Sequence, residues 1–306
     1  DSTKGWLPLE DDVVADEPSA PTTFKGIFAF GSGVTNLKNL LGSNGIIAAD
    51  ATGVGTARSG VGAVGYGNDK AIFAYGSTGT VTNLSNLVSN SGVVAADVTG
   101  VGSSRENLAT AAYGLDKAIF GFGVIGATVT GLTNLVSNSG VIAADVTGVG
   151  TARSYLGGAK YGTDKGIFAY GYNGSNVSMS NLVSNSGVVA SDTTGVGSAR
   201  RGSAATNYGG DKAVFAYGRT SGFTSLKNLC SNTGVIAADV TGVGTARWGL
   251  AATGYDQDKA AFAYGNNGSM LSMKNLVTNE GVIGTDVTGV GTARYFVGAA
   301  GYSASA

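Results

Sequence analysis

Arginine recurs at positions 58, 105, 153, 200, 247 and 294, each 47 or 48 residues after the one before. No other feature restricts the fold so strongly. Laid over one another, residues 24–68, 69–115, 116–163, 164–210, 211–257 and 258–306 are six copies of one unit, almost without insertions. A period of this length is that of a supersecondary unit that buries its apolar face only against its neighbours. Each copy carries an apolar segment such as DKAIFAYG, a variable glycine- and asparagine-rich loop, a segment such as NLVSNSGVV, the run AADVTGVGTAR, and a small-residue segment such as WGLAATGY. That leaves room for four short strands. A β-solenoid coil would repeat roughly every 20 residues, and a helical repeat would space its apolar residues by about 3.6. The expectation is an all-β, six-bladed β-propeller with four-stranded antiparallel blades over residues 24–306.

The order of the pieces predicts how such a ring closes. The first copy begins at the KGIFAFG strand, Lys25 to Gly31, and the last ends with YFVGAAGY, Tyr295 to Tyr302. That final segment precedes KAIFAYG in every other copy, so it can complete the first blade and remove an exposed sheet edge. Composition agrees: glycine fills 52 of 306 positions without a three-residue period, apolar residues reach 43% and charged residues only 13%. Such a chain has tight turns and can bury a core. No apolar stretch approaches the ~18 residues of a membrane helix, so membrane insertion is not expected. The sequence starts at Asp1 and not at a methionine, so it does not settle the compartment.

Invariance among the copies translates into packing. Phe28, Phe73, Phe120, Phe168, Phe215 and Phe262 hold one strand position, and Tyr66, Tyr113, Tyr161, Tyr208, Tyr255 and Tyr302 another. Both aromatic sets should pack between blades. The six arginines and the six aspartates Asp50, Asp97, Asp145, Asp192, Asp239 and Asp286 are structural positions; an Asp and an Arg eight residues apart, across the TGVG turn, could pair within or between blades. The functional rivals are an arginine ring at the channel mouth that collects an anion, and an aspartate ring that holds a metal. Lys70 and its equivalents follow a turn aspartate as solvated corners. Cys230 stands where other copies have Val88, Val136, Val183 and Val277, and so reads as a small core hydrophobe.

Variation is concentrated in the loop after FAYG and in the residues after each arginine. In an antiparallel blade both emerge on the same face, opposite the Asp-Lys and SNSG corners. The candidate binding face therefore carries Tyr172, Asn173, Arg219, Phe223, Asn266 and Asn267 from the loops, with Tyr155, Arg201, Trp248, Tyr295 and Phe296 after the arginines. Aromatic residues, arginine and asparagine are what recognition surfaces enrich. Trp248 and Tyr295 stand out as large rings at an exposed edge.

Catalysis is not expected. The chain has no histidine and one cysteine, which removes the commonest general base and most metal ligands, so no cofactor, metal site or catalytic residue is assigned. Glu106 and Glu280 are the only unique glutamates of the repeats, and the S-x-D-x-G-x-T-W turn of sialidases is missing. With 19 basic and 20 acidic residues there is no field to hold a nucleic acid. Residues 1–23 differ from the rest: Trp6-Leu7-Pro8-Leu9, Pro18, Pro21 and an acidic run from Glu10 to Glu17 read as a linker or docking segment.

The pattern of TAR followed by a RYFVGAAGY-type strand, then FAYG, then SNSG resembles the kelch class of propeller. The departures are a diglycine reduced to one glycine, as at Gly76, and no outer-strand tryptophan. The tandem DKAIFAYG…NLVSNSGVVAADVTGVGTAR text resembles repeats in tail-fibre and structural proteins of marine tailed phages, over residues 24–306. That resemblance implies a virion or extracellular binding module that recognises a host-surface glycan or protein. The alternatives are an architectural subunit bound to other virion proteins and a soluble lectin-like module of cellular origin.

Overall fold

The computed structural model describes residues 23–304; Trp6 and the acidic run of the N-terminal segment lie outside the described residues. Every paired strand is antiparallel and no helix occurs among the described residues. The strands form six small sheets of three or four strands, with an extra two-stranded hairpin, Val124–Ile125 with Thr128–Val129.

One copy explains the rest. Lys70–Ala74 reads KAIFA, a run of β-formers in which the four residues after the lysine are buried, as a strand flanked on both sides requires. It pairs with the small-residue strand Gly62–Tyr66 on one side and with Ser85–Val88 on the other. The first strands of the sheets are Gly62–Tyr66, Ala109–Tyr113, Gly157–Tyr161, Ala204–Tyr208, Ala251–Tyr255 and Gly298–Ala304. Each packs beside the next, and the last packs beside the first. Their Gly and Ala content lets the sheets approach closely at this line.

The fourth strand expected in each copy is mostly absent. Only the sheet of Thr23–Ala29 has one, Ala51–Thr52; elsewhere the segment VAADVTG touches its sheet through single bridges such as Ser85↔Val98 and Val88↔Val94. Asparagine side chains hold this segment both in the first sheet, where Asn36 donates to the carbonyls of Gly53 and Gly55 (3.0 and 3.1 Å), and in the next. Asn83 donates from Nδ2 to the carbonyls of Gly100 and Gly102 (3.1 and 3.0 Å), and Asn86 to that of Ala95 (3.0 Å). These side chains pair carbonyls of the segment that lie outside the ladders.

Between sheets the packing is aromatic. The FAYG aromatics Phe30, Tyr75, Phe122, Tyr170, Tyr217 and Tyr264 each meet the strand phenylalanine of the next sheet edge-on, at centroid distances of 5.3–5.6 Å. These pairs run through all six sheets and close on themselves, Tyr264 meeting Phe28. All six FAYG aromatics have φ between 63° and 65°, a kink that turns each ring toward its neighbour. The glycine after them is obligatory: at Gly76 φ is 104°, and a Cβ would stand 2.7 Å from the Ser59 carbonyl oxygen. The second expected set is also between sheets, since the Tyr66 ring lies against Gly140 of the next sheet's turn.

The two ends of the described chain share one sheet. Thr23–Ala29 lies between Gly298–Ala304 and Leu37–Leu41, with Gly26 opposite Gly301. Deleting residues 298–304 leaves that edge unpaired. The expected result is a broad, aggregation-prone thermal transition in place of a single cooperative one, read by circular dichroism and light scattering.

Candidate functional site

The six arginines are the most buried large side chains, at 0–1% exposure. Arg58 donates from Nε to the Tyr75 carbonyl (2.9 Å), from Nη1 to the Thr56 carbonyl (3.1 Å) and from Nη2 to Asn86 Oδ1. Its guanidinium lies over the Phe30 ring of the preceding sheet; the six equivalent distances are 3.8–4.3 Å. Burial pushes Arg58 down to about 10, which leaves it cationic at neutral pH. An arginine ring open to an anion at a channel mouth is therefore corrected: every donor direction points into protein.

The aspartate partner is not the one eight residues away. Arg58 meets Asp97 of the following copy, and Arg294 meets Asp50, with Nη1–Oδ1 distances of 3.5–4.0 Å around the set. Asp97 also accepts from the Thr56 backbone N–H and hydroxyl (2.8 and 2.6 Å) and from Asn86 Nδ2 (2.9 Å). The three-residue turn before Thr56 holds Gly55 at φ 102°, where a Cβ would collide with Asn86 and Asp97. Each aspartate is thus consumed within its own network, and among the described residues no group of three or more His, Cys, Asp or Glu is placed to hold a metal. Cys230 is buried in the core, its thiol pushed up to about 12 by desolvation.

Two residues after each arginine the chain makes a second closed arrangement. Gly60, Asn107, Tyr155, Gly202, Gly249 and Phe296 each donate a backbone N–H to the carbonyl of the preceding member, Gly60 completing the circle to Phe296, at 2.7–3.1 Å. All six have φ between 53° and 63°. A left-handed conformation is strained for Tyr155 and Phe296, and the hydrogen-bonded circle holds it. Below it, Val61, Leu108, Leu156, Ser203, Leu250 and Val297 converge on a small cavity of about 90 Å³.

On this circle stand the aromatic residues of the candidate face. Tyr155 meets Trp248 (6.0 Å) and Phe296 (5.5 Å); Trp248 meets Phe296 (5.1 Å) and Tyr295 (6.3 Å); Tyr295 meets Phe296 (4.5 Å). The four rings shelter one another and are half-buried. Trp248 lies on Gly202 and Phe296 on Gly249, where any Cβ would block the ring. The loops join them. Backbone bridges tie Tyr172 to Ser154, Arg219 to Arg201 and Asn266 to Trp248. Arg201 lies over Tyr172 (4.4 Å), and Arg219 between Phe223 (5.6 Å) and Trp248 (5.9 Å). Asn173 and Asn267 stand apart at exposed loop tips, where each Oδ1 accepts the N–H two residues on, at 3.3 Å; their side chains shape turns.

Two further residues join this face. Glu106 and Asn107 occupy the same alignment columns as Trp248 and Gly249, next to Gly60 and Tyr155. Desolvation raises the Glu106 carboxyl above its ordinary value. The signal was available, because a position that is Ser, Arg, Trp and Tyr in other copies cannot be a packing requirement. No family model matches the chain, and none of the curated proteins matches it.

Two predictions follow from the arginine network. Arg153→Ala leaves Asn181 and two carbonyls without their donor and should cost about 3 kcal/mol in urea unfolding, with Arg153→Lys recovering only part of it. For pH, partial burial opposes ionisation of Asp97, but its bonds from Thr56 and Asn86 and the charge of Arg58 outweigh that and hold it below 3.8; the five equivalents behave alike. The unfolded chain therefore takes up these protons first as pH falls. Their stabilisation is complete above the ordinary value of 3.8 and disappears as pH drops through the folded-state values. Melting temperature should be flat from pH 7 to about 5 and fall steeply below pH 3.8, and Asp97→Asn should flatten that fall.

Proposed function

We propose that the six sheets are blades of a closed six-bladed β-propeller, and that the protein is a non-enzymatic binding module that takes a host-cell-surface glycan or protein on its aromatic face. Closure is supported by three arrangements that return to their starting residue: the first strands, the aromatic pairs and the backbone circle. The single observation that carries the binding role is the cluster of Tyr155, Trp248, Tyr295 and Phe296 with Arg201 and Arg219 beside it. The corresponding positions of other copies hold Ser59, Gly60, Ser154 and Gly202, so the propeller does not need the large rings. Half-exposed rings on a rigid scaffold offer flat apolar area to the C–H face of a sugar or to an apolar side chain, at little entropy cost. Arg201, Arg219, Glu106 and Asn107 supply polar contacts around them. A virion setting, as a tail-fibre or other surface protein, rests on the resemblance of the repeats.

One observation favours a second reading, an architectural subunit that binds other virion proteins. Ile46, Val93, Val141, Val188, Val235 and Val282 are 50–65% exposed at equivalent turns, a belt of apolar residues around the periphery.

Labelled protein is tested on intact host cells and a glycan array, with Trp248→Ala and Tyr295→Ala alongside. Recognition by the face predicts saturable binding that weakens at least about tenfold in each variant, with melting temperatures within a few degrees of the parent. Binding unchanged in both variants would sink this role, and co-purification with a virion protein instead would leave the architectural one.

A further inference from the structure

The first strands enclose a funnel of about 570 Å³ that opens among the turns bearing Asn68, Lys70, Leu115 and Gln257, at the end of the molecule opposite the aromatic cluster. Its lining repeats like everything else. At the layer nearer the opening the equivalent positions are Gly65, Ala112, Lys160, Asn207, Gly254 and Gly301. Four of the six carry at most a methyl group, so neither packing nor strand formation calls for a long side chain here. Lys160 and Asn207 break the pattern on adjoining strands, Gly157–Tyr161 and Ala204–Tyr208.

Neither side chain has a hydrogen-bond or ion-pair partner among the described residues. Asp164 favours the charged form of Lys160 without pairing with it, and burial lowers the ammonium all the same. At the rim, by contrast, Lys70 is held by Asp69 at 3.1 Å. A half-buried ammonium with no hydrogen-bond partner recovers only part of its lost hydration from a charge at a distance, unless something enters to meet it. Its neighbour is an amide that both donates and accepts, and the space is of the size that takes small ligands, typically about 300–1,000 Å³.

We propose that this funnel binds a small organic monocarboxylate carrying hydroxyl groups, of the size of a sugar acid, with the carboxylate on Lys160 Nζ and the hydroxyls on the Asn207 amide. The site is separate from the aromatic face and does not rest on its role. One ammonium matches one negative charge. A phosphate carries nearly two, and its usual recognition by an arginine fork or a run of free backbone N–H groups is not what this lining offers.

Isothermal titration with glucuronate, glucose and inorganic phosphate tests it on the parent protein and on Lys160→Ala, Asn207→Ala and Trp248→Ala. Alanine is the residue at the equivalent position 112, so the lysine variant should fold, and its melting curve checks this. The expected result is glucuronate binding that weakens at least about tenfold in Lys160→Ala, weakens in Asn207→Ala and persists in Trp248→Ala, with glucose and phosphate bound more weakly by the parent. No glucuronate binding, glucuronate binding that survives Lys160→Ala, phosphate bound as tightly as glucuronate, or loss in Trp248→Ala would each overturn the proposal.

Discussion

Six arginines taken wholly out of water set the terms for the rest of this molecule. A buried guanidinium is tolerated only where its donors are met, and meeting them here recruits four separate parts of the chain. For Arg58 these are the Thr56 turn, the Tyr75 carbonyl, the Asn86 side chain with Asp97 behind it, and the Phe30 ring of the preceding sheet. Each network therefore ties three stretches of its own sheet together and clamps that sheet onto the one before. The short third strand and the bridged segment after it, too little paired to be stable alone, are held through these side chains.

Because the clamp links neighbours, it is satisfied everywhere only if the last sheet meets the first, and Arg294 does so through Phe30, Asn39 and Asp50. The same closure governs the backbone circle through Gly60 and Phe296. With main-chain bonds holding the circle, side chains on it are free to differ. That is where Tyr155, Trp248, Tyr295 and Phe296 gather, and the left-handed backbone of Tyr155 and Phe296 is held by those bonds. The side chains that depart from the repeat sit where it has stopped needing a given one, at the circle and, in the funnel, at Lys160 and Asn207.

Much of this was legible in the repeats. The Phe28 and Tyr66 sets, the burial of Cys230, the joining of the chain ends in one sheet and the shared face of the two variable segments all follow from aligning copies. Two expectations failed. The Asp–Arg pair eight residues apart assumed that sequence neighbours interact, whereas Asn86 bonds Arg58 and Asp97 together across 28 and 11 residues; the full fourth strand gives way in five copies to single bridges such as Ser85↔Val98. Lys160 is not legible in the sequence because it lies in a segment whose other copies are mostly small residues, and exposure to a funnel cannot be seen along a chain. Glu106 and Asn107 share the variable columns of Trp248 and Gly249, and only the fold sets them beside Gly60 and Tyr155.

The sequence by itself determined the unit, its number, its strand-forming segments and which residues every copy must keep, since period and invariance are properties of the chain alone. Tertiary structure decided which aspartate each arginine meets, that the aromatic residues of the face shelter one another, and that one lysine stands in a cavity. Those depend on how neighbouring sheets pack against one another, and distances between sheets are written in no local stretch of residues.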